Sequence, residues 1–173
     1  MPAYTLDSTD TVTAPTGATL YRIRYMGGTR GGYLQSTANL DPISDAQVFG
    51  DAWVYGNARV YGNAQVYGNA RVSGDARVYG NAQVSGDAQV FGNARVSEPQ
   101  HCLTIGPLGS RAAILTVCRD STLSLSYATG CFFGSREAFL AAVEATHGDS
   151  PIGNAYAAAV MLADHVVPPY TQE

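Results

Sequence analysis

Lysine is missing from this chain altogether: all ten basic residues are arginine. Its surface cations are therefore planar, bidentate and able to stack. Charge is sparse at 14% of residues, and the net value of −4 is small. Neither the sign nor the amount suits a protein that tracks nucleic acid over a broad surface, and the few, dispersed acids do not imitate a phosphate backbone. Nucleic acid is therefore not an expected partner. Only three histidines and three cysteines occur. Cys102, Cys118 and Cys131 lack metal-ligand spacing such as C-x₂-C, so no metal site and no cofactor are expected. The simplest reading of such an odd, scattered set is a reducing compartment. No apolar run approaches the roughly 18 residues needed to span a bilayer. Met1-Pro2-Ala3-Tyr4 has neither the basic nor the apolar region of a signal peptide. The expectation is a soluble protein without membrane contact, located in the cytoplasm.

What the chain has in abundance is glycine, 19 residues, and much of it is periodic. From Asp45 the sequence reads DAQVFG, DAWVYG, NARVYG, NAQVYG, NARVSG, DARVYG, NAQVSG, DAQVFG, NARVSE. Ala recurs at 46, 52, 58 and on to 94, and Val at 48, 54, 60 and on to 96. Residues two apart on a strand share a face, so each Ala–Val pair points inward and the residue between them points outward. Gly followed by Asp or Asn is a turn pair, since both partners tolerate left-handed backbone. Each hexad is thus one short strand and one corner, the pattern of a hexapeptide β-helix. With three hexads per coil, residues 18 apart stack, and nine hexads make about three coils.

That register predicts three outward ladders: Gln47, Gln65 and Gln83; Trp53, Arg71 and Gln89; and Arg59, Arg77 and Arg95, with Tyr61 and Tyr79 beside the last. Three arginines at ladder spacing repel one another, an arrangement suited to an overlying anion, carboxylate or aromatic face. Stacked guanidinium groups that merely face water are the alternative. The Gln ladder and the Trp53 face are candidates for self-association, with a trimer favoured by analogy.

An open solenoid needs capped ends. Residues 1–44 form the expected N-terminal cap, with strands at Tyr4-Thr5-Leu6 and Leu20–Tyr25 and turns at Gly27-Gly28 and Gly31-Gly32. Residues 45–98 are the solenoid, and 99–173 a small α+β domain. In the latter, Arg111–Arg119 and Thr122–Tyr127 read as a hairpin. Alternation of Leu123, Leu125 and Tyr127 with Thr122, Ser124 and Ser126 predicts a half-buried strand. Ser135 caps one helix, running to about Thr146. Ser150-Pro151 starts another, with Tyr156, Val160, Ala163 and Val167 inward and Pro168-Pro169 as its stop.

The strings Thr19–Arg24, Gly31–Ser36, Asn39-Leu40 and Asp51–Ala58 resemble the YdcK-type hexapeptide-repeat family over roughly residues 4–98. The resemblance implies a mainly β fold: a left-handed parallel β-helix with a β cap and a small α+β domain. Residues Thr104–Arg111, Gly130–Gly134, Phe139, Val143 and His147-Gly148 are similar to a small domain that follows such repeats in phage-encoded proteins. This implies a phage or prophage accessory protein in the bacterial host cytoplasm, binding a host or phage protein, with action against host defence as one role open to such a binder. Many hexapeptide solenoids are acyltransferases that use a solenoid histidine as base, but residues 45–98 contain no histidine and no inserted loop. The expectation is a binding protein rather than an enzyme. An acyltransferase-like enzyme and an oligomeric binder of a small anionic nucleotide stay open as alternatives. The candidate binding residues are Arg59, Arg77, Arg95, Tyr61, Tyr79, Trp53, Ser110 and Arg111. Cys131 and His147 could form a thiolate–imidazole pair near an anion held by Ser110 and Arg111. The plainer readings are a buried Cys131, His147 at a helix C-terminus, and Ser110-Arg111 as turn residues. His101 and His165 read as surface residues without a partner.

Overall fold

The computed structural model describes residues 4–170. Strands β1 (Tyr4–Thr13), β2 (Thr19–Tyr25) and β3 (Arg30–Leu34) lead into nine two-residue strands. These are β4 (Gln47–Val48), β5 (Trp53–Val54), β6 (Arg59–Val60), β7 (Gln65–Val66), β8 (Arg71–Val72), β9 (Arg77–Val78), β10 (Gln83–Val84), β11 (Gln89–Val90) and β12 (Arg95–Val96). The C-terminal region adds β13 (Cys102–Leu108), β14 (Ala113–Asp120), β15 (Ser124–Thr129) and β16 (Phe132–Gly134), then α1 (Arg136–His147) and α2 (Pro151–Val166).

The hexads stack as the period demands. Gln47 pairs with Gln65 and Gln65 with Gln83; Trp53 with Arg71 and Arg71 with Gln89; Arg59 with Arg77 and Arg77 with Arg95. All pairings are parallel. The repeat valines are at most 2% exposed, and the alanines at most 5%. Burying each valine favours folding by about 1.5–3 kcal/mol, and alanine is the residue the narrow interior has room for. Every hexad glycine from Gly50 to Gly92 has a positive φ, between 60° and 73°. That backbone is open to glycine and strained for most other residues.

The N-terminal cap is more deeply joined to the solenoid than its sequence suggests. Gly31-Gly32, expected as a turn, lies within β3, which pairs in parallel with β5 through Tyr33–Trp53 and Leu34–Val54. Leu40 bridges Val60. The cap thus supplies a further coil above the three of the hexads, and the solenoid has about four turns. The glycines are needed for close approach. A Cβ at Gly31 would come within 2.7 Å of the Val48 carbonyl, and one at Gly32 would collide with the Ala52 carbonyl. The first strand is longer than Tyr4-Thr5-Leu6: β1 continues to Thr13 and pairs with β2 across a bulge.

At the other end, the sheet β13-β14-β15-β16 closes the last coil. Its two faces bury different residues. Leu115, Val117, Leu125 and Tyr127 pack with Phe139, Val143, Tyr156, Val160 and Ala163 of the helices. Cys118 joins the solenoid core, and Thr116 Oγ1 accepts a hydrogen bond from the Gln89 amide at 3.0 Å. The half-buried reading of Thr122–Tyr127 therefore needs correction. Ser126 is 4% exposed, because a solenoid covers the face that alternation assigned to water, whereas Leu123 is among the exposed residues. The helix caps stand as read: Ser135 and Ser150 accept from the amides of Ala138 and Gly153.

Candidate functional site

The arginine ladder is not uniform. Arg95 folds back onto the backbone of its own and the preceding coil, its Nη1 donating to the carbonyls of Asn93, Ala94 and Asp75 at 2.9–3.0 Å. Arg59 and Arg77 are exposed and, among the described residues, take part in no ion pair. At a strand spacing of ~4.8 Å, two unit charges in water repel by about 0.9 kcal/mol. Beside them Tyr61 and Tyr79 stack face to face, with centroids 5.1 Å apart and planes 7° from parallel. Asp41, Arg59, Tyr61 and Arg77 line a shallow depression of about 260 Å³. On the neighbouring face, Arg71 sits over the Trp53 ring at 4.7 Å. Trp53 is already engaged there and is half-buried beneath the cap.

The C-terminal candidates converge at one end of the second sheet. The β13–β14 turn carries Ser110 and Arg111. The β15–β16 turn carries Gly130 and Cys131, and α1 ends at Thr146-His147. Together with Thr129, Phe132, Ala113 and Tyr156 these residues line a cavity of about 300 Å³. His147 stacks on Tyr156 at 5.8 Å between centroids. Cys131 and His147 thus share one cavity, which their 16-residue separation does not reveal. The expectation of a buried Cys131 is overturned: its turn lies at the exposed end of the hairpin, and the thiol is free and exposed. Ser110 and Arg111 are turn residues, as read, and both line the cavity.

Two further expectations fail. Cys102 and Cys118 form a disulfide between register partners on β13 and β14, with Cα atoms 4.1 Å apart. The three cysteines are therefore a pair and a single thiol, not an unpaired set; strand pairing brings the two together. His101 is buried rather than on the surface. Its Nδ1 accepts from the amides of Ser97 and Glu98, and Arg119 Nη1 lies 2.7 Å from its Nε2. Arg119 in turn sits over Tyr170 at 5.4 Å. His165 is exposed, with Nδ1 2.7 Å from its own helix's Met161 carbonyl.

An ionic cluster around a buried Arg22 in the cap has no signature in the sequence. Arg22, 8% exposed, contacts Asp10 and Asp51 at 3.3 Å, donates to the carbonyls of Gly31 and Gly50, bonds the Tyr33 hydroxyl and stacks over the Tyr33 ring. It ties β1, β2 and β3 to the first hexads, and so is a structural joint. Burial pushes the Tyr4 phenol beneath this cap up to about 12, with Tyr25 and Asp41 adding to the effect. Among the described residues no three His, Cys, Asp or Glu side chains gather as metal ligands would. No described helix is long and apolar enough to cross a membrane.

These observations define a class: a hexapeptide β-solenoid capped at one end by a β-meander and at the other by a small α+β domain. The family model described as the YdcK β-solenoid repeat matches residues 46–62, 52–68, 64–80, 70–86 and 88–101. The match covers the repeat, less than half of the chain, and characterises the solenoid alone. No curated protein and no solved structure matches the chain.

Proposed function

We propose that this is a non-catalytic binding protein whose solenoid presents the Arg59–Arg77 and Tyr61–Tyr79 ladders to an acidic segment of another protein. The observation that carries this reading is the pair of exposed arginines, register partners on adjacent strands and in no ion pair among the described residues. A rigid row of forked donors beside two parallel rings suits a chain of carboxylates, each of which can take a bidentate bond. The solenoid holds the spacing, so little conformational entropy is lost on binding. A host or phage protein is the partner class that the resemblance of the sequence suggests, and a phage or prophage accessory role in the host cytoplasm belongs to the same proposal. The absence of histidine from residues 45–98 argues against the acyltransferase chemistry of other hexapeptide solenoids.

The test is titration of the full chain with fluorescent oligoglutamate and oligolysine peptides at two salt concentrations. Oligoglutamate should bind and oligolysine should not. Binding should weaken with salt, and by at least about tenfold in Arg59→Ala/Arg77→Ala, two lost charge-assisted contacts. Unchanged binding in the double variant would make this face ordinary surface. Light scattering on the same samples reads the oligomeric state, for which a trimer built on the Gln47–Gln65–Gln83 face is the proposed arrangement.

A further inference from the structure

The C-terminal cavity is independent of the solenoid face, and its walls have a consistent chemistry. Arg111 supplies a guanidinium that, among the described residues, makes neither an ion pair nor a hydrogen bond. His147 supplies a half-buried imidazole stacked on the Tyr156 ring, with planes 26° apart. Ser110 supplies a hydroxyl from the same turn as Arg111. Thr129, also in the wall, has a buried Oγ1 without a hydrogen-bond partner. A buried hydroxyl left unused by the fold is uncommon, and marks a place where a polar group from outside can be accommodated. Phe132, Ala113 and the Tyr156 ring supply an apolar part of the wall, which Thr146 also lines. Among the described residues no acidic side chain lines the cavity; the nearest in sequence to His147, Glu144 and Asp149, are exposed and outside it.

The turns that frame this cavity are built close to its walls. A Cβ at Gly109 would reach the Tyr156 hydroxyl at 2.5 Å, so the β13–β14 turn rests directly on α2. Ala112 closes that turn with φ of +49°, an uncommon conformation for a residue with a side chain. Serine and arginine are thereby held over the same opening as the thiol of the facing turn. A volume of about 300 Å³ lies at the lower end of the range for small-molecule sites.

We infer that this cavity binds a small oxyanion, phosphate or carboxylate, borne on a flat apolar group. Arg111 and His147 face the anion, Ser110 donates to it, and Phe132 and Tyr156 receive the apolar part. Cys131 stands at the mouth as a reporter, the one thiol outside the disulfide among the described residues.

Four probes separate the parts of the claim: phenyl phosphate, benzoate, benzyl alcohol and inorganic phosphate, each titrated into the full chain by calorimetry. At least one of the two aryl anions should bind at least about tenfold more tightly than benzyl alcohol and than inorganic phosphate, as expected for one charge-assisted contact combined with apolar burial. Which anion binds better tells phosphate from carboxylate. The better probe at saturation should slow alkylation of Cys131 by iodoacetamide at least about threefold, the steric effect of an occupied mouth. Arg111→Ala should lose at least about tenfold in affinity while its circular dichroism stays that of the parent, since the side chain is exposed and bonds nothing in the fold. His147→Gln provides a second variant that keeps a hydrogen-bonding side chain but no ring. Equal affinity for benzyl alcohol would overturn the inference, as would full affinity in Arg111→Ala or alkylation of Cys131 unchanged by a saturating probe.

Discussion

At the scale of single residues, the architecture depends on places where a side chain has no room. Gly32 is one: any Cβ there meets the Ala52 carbonyl. Gly32→Ala should destabilise the protein by about 1–3 kcal/mol through a forced backbone shift, visible as a lower denaturation midpoint in urea. Acid sensitivity is also local. Arg136 holds the Asp164 carboxyl below the usual range through hydrogen bonds at 2.7–2.9 Å, against some desolvation, and Tyr127 adds a bond. Thr9 and Arg24 do the same for Asp7, which lies well below that range. Carboxyls depressed in the folded state stabilise it above their unfolded value of about 3.9, and this contribution is lost as pH falls through the folded value. Thermal stability should therefore decline below about pH 4. Asp164→Asn should lower stability at neutral pH by no more than about 1 kcal/mol, since the pair is partly exposed, and the difference from the parent should vanish in strong acid. A difference that does not shrink as pH falls below the usual carboxylate range would show that the bond geometry, not the charge, matters there.

At the scale of elements, two-residue strands are stable only as members of a stack. Each contributes one inward valine and two ladder hydrogen bonds, such as Arg59 N to the Ala76 carbonyl and Tyr61 N to the Val78 carbonyl. The corners stack too. Asn57, Asn63 and Asn69 donate to Asp75, Asn81 and Asp87 at 3.0–3.2 Å, so the turn residue that suits the backbone also links successive coils. Ladders of identical residues hold cations as firmly as amides, which is why Arg59 and Arg77 keep their spacing despite mutual repulsion. Replacing only Arg77 by Gln should relieve that repulsion and raise stability by a few tenths of a kcal/mol, at most the Coulomb energy of one exposed pair. Lower stability in Arg77→Gln would indicate that guanidinium stacking outweighs charge repulsion.

At the scale of the whole molecule, the two ends are closed by different means. The N-terminal meander extends the ladder with its own strand and an arginine joint. The C-terminal sheet lies across the last coil, with Cys118 in the solenoid core, Asp120 bridged to Ala94, and Phe133 set against Gly92 and Phe91. Removing residues 99–173 would leave the last strands unpaired and Val90 and Val96 uncovered. Such a truncated chain should associate through its open end, with light scattering showing species larger than those of the full chain at equal concentration. A truncation that stays at the oligomeric state of the full chain would mean that the domain is an appendage, not a cap.

The hexad by itself determined the solenoid, its 18-residue register, the inward Ala and Val and the three outward ladders, because a strictly repeated local pattern admits few ways of burying its apolar residues. Helix caps at Ser135 and Ser150 were equally legible, being local chemistry. Tertiary structure decided the rest. It set Gly31-Gly32 in a strand, buried both faces of β15, joined Cys102 to Cys118 and buried His101, since each depends on what packs opposite. It also brought Ser110, Arg111, Cys131 and His147 to one cavity, and separated Arg95 from its ladder mates by giving its guanidinium carbonyls to bond. Those outcomes turn on contacts between residues distant in the chain, which no local spacing encodes.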